Sequence, residues 1–137
     1  NFILKDDTFF IYNYFMTKKI NKFKEKHFLV YKRLKEFINL IESVCIILFG
    51  SYAKGTENQR SDIDILVISN KQNIEKIAMT FKTKYNISIR PIVVKIKDFK
   101  NIKKDNKTFY NDMTNFGIIL YGIEFFFKEV YENAKID

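Results

Sequence analysis

Two aspartates one residue apart, Asp62 and Asp64, interrupt the otherwise apolar stretch "SDIDILVIS". In a strand, residues i and i+2 point to the same side, so both carboxylates stand on one face a few ångströms apart. Held that close they repel, and apolar neighbours add a desolvation cost to each charge. No basic residue lies within the strand itself, so a divalent cation is the economical counter-charge. Oxygen donors without His or Cys suit Mg2+ or Mn2+, and magnesium keeps its remaining positions for water and substrate phosphates.

The preceding segment, "LFGSYAKG", supplies the complementary half. Gly50 lets the backbone turn sharply at a strand end and approach a ligand closely. Ser51 opens a short helical segment whose unpaired N–H groups favour an anion, and its hydroxyl can donate to a phosphate oxygen. Gly55 lets the chain pass without a side chain. Ser61, directly before the aspartates, is either a further nucleotide ligand or a plain cap. Each piece alone is ordinary: Gly-Ser is a common turn, and Asp-x-Asp is common in solvated loops. Their joint order is what points to metal-assisted phosphoryl or nucleotidyl transfer.

The elements that must position these residues follow from periodicity. Between Thr8 and Glu42 there is no Gly or Pro, and apolar residues recur at helical spacing (Phe23, His27, Val30, Leu34, Phe37, Ile41). This predicts one long helix, or two with a break near Lys18–Lys22, with His27 packed on the apolar side. Residues 43–49 and 63–69 read as strands, 72–85 as an amphipathic helix, and 87–95 as a third strand. Pro91 places that strand at an edge or a bulge. Residues 99–103 and 109–116 read as helices, "IILYG" receives no element, and 123–131 reads as a final aromatic helix. Phe125, Phe126 and Phe127 there suit either the core or a partner surface. The sum is an α/β (α+β) domain with a small mixed β-sheet flanked by helices.

Length and composition agree. The 137 residues fit one domain, divided into an N-terminal helical segment (1–42), a core (43–105) and a C-terminal helical segment (106–137). No apolar run approaches the roughly 18 residues of a membrane span. The single Cys45 excludes an intrachain disulfide and a cysteine-based metal site, and a reducing cytoplasm is the default. Twenty-four Lys and Arg against 16 Asp and Glu give a net charge of +8, compatible with phosphate-bearing ligands or nucleic acid.

"GSYAKGTENQRSDIDILV" resembles the signature of the minimal nucleotidyltransferases of the DNA polymerase beta superfamily: Gly-Ser-x-Ala-x-Gly, a spacer, then Ser-Asp-x-Asp. The likeness is strong over residues 44–69, and weaker in element order to Tyr121. It implies a polymerase beta-like fold in which Gly50 and Ser51 hold the terminal phosphates of an NTP such as ATP. Asp62 and Asp64 would bind Mg2+ bridging those phosphates. Lys54 and Arg60 add charge on the connecting loop, though the motif does not fix them. The family usually carries a third carboxylate on the neighbouring strand, with which it binds a second metal and helps deprotonate the attacking hydroxyl. "ISIRPIVVK" holds none. Arg90 lies near that place, where it either steadies a phosphate or acidic acceptor or sits at the surface, and Asp98 follows the strand.

Three readings stay open: slow or one-metal catalysis, an acid supplied from elsewhere, or nucleotide binding without transfer. Members of this size often pair as antitoxins with a HEPN-type toxin and transfer AMP to it. Others modify small antibiotics, and some are fused to a winged-helix DNA-binding module. Acceptors to consider are thus a HEPN-like protein, a tRNA or a small molecule, and Asn1 as first residue leaves room for an upstream DNA-binding domain. The rival from another class is a non-catalytic nucleotide- or nucleic-acid-binding module driven by the +8 charge.

Overall fold

A computed structural model describes residues 5–132. At its centre are four strands: β1 (Cys45–Phe49), β2 (Ile63–Ile68), β3 (Ile89–Val94) and β4 (Ile118–Tyr121). They form one mixed sheet in the order β3-β2-β1-β4. β1 runs antiparallel to both β2 and β4, and β2 runs parallel to β3. The small mixed sheet flanked by helices agrees with the fold class read from the sequence.

Apart from Asp64, the two central strands are apolar because both of their faces are covered. Ile46, Ile47 and Leu48 of β1, and Ile65 to Ile68 of β2, are fully buried. Each such side chain stabilises the fold by roughly 1.5–3 kcal/mol relative to exposure. β3 pairs on one side only, so Pro91 removes no ladder hydrogen bond from a central strand. β4 is the element that periodicity left unassigned. Four residues are too few to show a period, and pairing with β1 is what makes them a strand.

The N-terminal stretch forms two helices, α1 (Lys5–Lys26) and α2 (Phe28–Leu40). The break falls at His27, whose backbone is non-helical, and not near Lys18–Lys22 as periodicity suggested. His27 is half-buried, with its ring against Phe23 and Tyr52 and its Nε2 on Glu57 Oε1 at 2.5 Å. The turn is thus fixed by a tertiary hydrogen bond rather than by a Gly or Pro. α1 packs on β4, where the Ile119 amide donates to Met16 Sδ.

A short helix, α3 (Gly50–Lys54), follows β1 directly, and α4 (Ile74–Tyr85) links β2 to β3. α4 sits against α2 through the edge-on pair Phe37–Phe81, 5.6 Å between ring centres. After β3 come α5 (Ile96–Phe99), α6 (Ile102–Asp105) and α7 (Lys107–Phe116). The single helix expected at 99–103 is therefore two short helices with a turn between them. α8 (Ile123–Phe127) continues into a turn of π-helix (Lys128–Glu132). Phe126 and Phe127 are buried, and Phe125 lies against Phe99, so this aromatic run is core. No described helix is long and apolar enough to cross a membrane.

Candidate active site

The register of the sheet brings the two halves of the motif together. β1 ends at Phe49, which stands opposite Asp64 of β2. The next residue, Gly50, has φ +70 and starts α3. A Cβ at this position would collide with Asp64 Oδ2 and lie 3.2 Å from Asp64 Cβ and Cγ. Only a residue without a side chain lets the turn into α3 close over the carboxylate. Ser51 follows as the second residue of α3, half-buried, and its carbonyl accepts the amides of Gly55 and Thr56. Gly55, at φ +76, is the left-handed cap that ends α3, with nothing within 4 Å of an added Cβ.

Asp62 and Asp64 lie on one face, as the i, i+2 spacing requires. Their side chains are 40% and 14% exposed respectively. The parallel pairing sets Arg90 of β3 beside Asp64. Arg90 Nε donates to Asp64 Oδ1 at 2.9 Å, and its Nη1 lies 3.6 Å from Asp62 Oδ2. Ser88 Oγ donates to Asp62 Oδ1 at 2.6 Å. A positive group therefore does stand at the aspartate pair, supplied by the next strand, where the strand's own sequence offered none.

Other candidates have partners of their own. Lys54 Nζ pairs with Asp112 Oδ1 of α7 at 2.8 Å and lies over the Phe116 ring. Ser61 Oγ accepts the Asn58 amide at 2.9 Å, closing the polar loop before β2. Asp98 is exposed in α5, beyond the far end of β3 from Arg90, and does not reach the pair. Among the described residues, no three His, Cys, Asp or Glu side chains are grouped to hold a metal ion.

Two clefts flank the pair. One, about 580 Å3, runs between Gly50 and α7, lined by Phe49, Asn106, Thr108, Phe109, Asp112, Asn115 and Phe116. The other, about 400 Å3, holds Asp62 together with Tyr52, Gln59, Arg60, Ser61, Lys82 and Ser88. Sequence reasoning missed Ser88, Asn106, Asp112 and Asn115. The i−2 spacing of Ser88 from Arg90 was a usable signal, whereas the α7 residues carry no pattern and are recruited by packing. Tyr52, inside the Gly-Ser motif, braces α3 from behind: its ring meets His27 and Phe23 edge-on. Burial, and then the Glu57 charge, push its phenol above the usual range.

The family model described as polymerase beta, nucleotidyltransferase matches residues 32–125, from within α2 to within α8 and so across the whole sheet. The chain belongs to this family. Three relatives from Methanocaldococcus jannaschii, each named "putative protein adenylyltransferase", agree with the assignment. One is 36% identical over 98 residues, covering 62% of this chain and 92% of the relative. A second is 37% identical over 101 residues, covering 67% of each. A third is 37% identical over 98 residues, covering 66% of this chain and 96% of the relative. A solved structure described as a toxin-antitoxin with AMP-PNP superposes with a TM-score of 0.53 at 20% identity. It covers 79% of this chain and 90% of its own, and it shows the shared fold.

Proposed function

We propose that this chain is a nucleotidyltransferase that moves the nucleoside monophosphate of an NTP, ATP first, to an acceptor hydroxyl and releases pyrophosphate. The observation that carries this reading is the close approach of Gly50 to the Asp64 carboxylate, with Asp62 on the same face. In balance, the acceptor oxygen forms a bond to the α-phosphorus, the α–β bridging bond breaks, and the hydroxyl proton passes to solvent or a base. The names of the relatives support AMP as the group and a protein as the acceptor. The described toxin-antitoxin neighbour supports an antitoxin-type role, with a HEPN-like toxin as the partner we assign.

The donor set fits one divalent cation. Two carboxylates with oxygen donors only, beside a backbone free of side chain, suit Mg2+ or Mn2+ completed by phosphate oxygens. Asp62 and Asp64 would hold it, and when bound it would neutralise phosphate charge and stabilise the leaving pyrophosphate. Gly50 and Ser51 would take the terminal phosphates. The cleft against α7 suits the nucleoside, with aromatic Phe49, Phe109 and Phe116 and the amides of Asn106 and Asn115. The polar cleft at Asp62 suits the approaching acceptor.

A second reading has its own observation. Arg90 stands where a third carboxylate would complete a two-metal site, which favours a nucleotide-binding module that no longer transfers. Calorimetric ATP binding with and without Mg2+, on the wild type and on Asp62→Asn/Asp64→Asn, tests the site. We expect metal-dependent binding that the double variant loses. ATP binding indifferent to both aspartates would end the transferase reading. Where binding meets the expectation, labelled-ATP transfer to candidate protein and tRNA acceptors separates turnover from binding alone.

A further inference from the structure

We propose that Arg90 is a resident counter-cation that guards the aspartate pair, so that a divalent ion enters only together with a nucleotide. This rests on the reading of Asp62 and Asp64 as metal ligands. Two carboxylates on one strand face need a positive partner in the free protein as much as in the loaded one. Arg90 supplies it from the adjacent parallel strand, at 2.9 Å from Asp64 and 3.6 Å from Asp62. Ser88, directly before β3, holds Asp62 at 2.6 Å, so this segment steadies one carboxylate while Arg90 reaches both.

The guard is displaceable by its construction. The Arg90 side chain is 65% exposed, and the polar cleft lined by Asp62 and Ser88 opens beside the pair it bridges. A bare divalent ion must compete with a charge already seated and gains no new partner for the arginine. A nucleotide changes this balance. Its phosphates give the guanidinium a planar, bidentate anion to move to, while contributing oxygens to the metal. Arg90 then becomes a phosphate ligand in the loaded state and a carboxylate ligand in the free one. Free metal would be excluded from the empty site, and nucleotide and metal would bind with positive coupling.

Mn2+ binding followed by the resonance of the free ion, without nucleotide, tests this directly. The proteins are the wild type, Arg90→Gln, and Arg33→Gln as a control that removes the same charge from a residue paired with Glu36 on α2. A unit positive charge at contact range from a divalent ion changes affinity by at least about tenfold, even at the dielectric of water. We expect Arg90→Gln to bind Mn2+ at least about tenfold tighter than both others. Its melting temperature should rise with added Mn2+ where the wild type's does not. The Arg90 Nε–H resonance of the wild type should shift with ATP and Mg2+ together but not with Mg2+ alone. Equal Mn2+ affinity in Arg90→Gln and Arg33→Gln would overturn the guard. If the gain survives Asp62→Asn/Asp64→Asn in the Arg90→Gln background, the aspartates are not the ligands, and the functional reading beneath falls with it. A gain that needs the aspartates, in a protein that transfers to no acceptor, would keep the guard and remove the transferase.

Discussion

Replacing Gly50 by Ala tests the geometry most sharply, because a second glycine five residues on provides the control. Both Gly50 and Gly55 have positive φ, +70 and +76. Alanine in the left-handed region costs roughly 1–2 kcal/mol at either position. At Gly55 nothing lies within 4 Å of the new Cβ, so the backbone term is the whole expected effect. At Gly50 the methyl meets the Asp64 carboxylate. Asp64 must then leave its rotamer, which adds roughly 0.5–1.5 kcal/mol and breaks its bond to Arg90. The expected losses are thus about 1.5–3.5 kcal/mol for Gly50→Ala and about 1–2 kcal/mol for Gly55→Ala. Urea unfolding midpoints at unchanged slope measure the difference. ATP–Mg2+ affinity should separate the two further, falling more than about tenfold in Gly50→Ala and by no more than a few-fold in Gly55→Ala; tenfold corresponds to about 1.4 kcal/mol. If both variants lose stability and affinity alike, Gly50 does not exist to make room for Asp64, and the site has been assembled wrongly.

Two further outcomes concern groups around the site. Burial raises the Glu57 carboxyl, but its own backbone amide and hydrogen bonds from Lys26 and His27 outweigh that and hold it below its ordinary value of 4.5. A depressed carboxyl contributes stability above pH 4.5, and the contribution is lost as pH falls through the lower folded value. Glu57→Gln should therefore lower stability near neutral pH and flatten the acid limb of a stability–pH curve; an unchanged acid limb would refute the role given to Glu57. Burial pushes the Cys45 thiol up to about 12, in a strand where its side chain is fully buried. Its reaction with a thiol reagent at pH 8 should follow the global unfolding rate, and prompt labelling of the native protein would contradict this.

Much of the fold was legible because the signals were local. β-Branched runs marked β1 and β2, helical spacing marked α4 and α7, and Pro91 placed β3 at an edge. The helix break at His27 was not legible, because it depends on Glu57, thirty residues away, holding the imidazole. β4 was not legible because its four residues become a strand only by pairing with β1. The sequence by itself determined the pairing of Asp62 with Asp64 on one face, since the period of a strand is two whatever surrounds it. It also determined family membership, since Gly50, Ser51, Gly55 and the two aspartates keep their order and spacing. What stands between the carboxylates was decided by tertiary structure alone. The parallel register of β2 on β3 sets Arg90 opposite Asp64, and no rule of local spacing fixes the register of two strands that a helix connects. For the same reason the pairing of Lys54 with Asp112, which lines the cleft against α7, was not legible, because α7 arrives beside α3 only when the whole chain has folded.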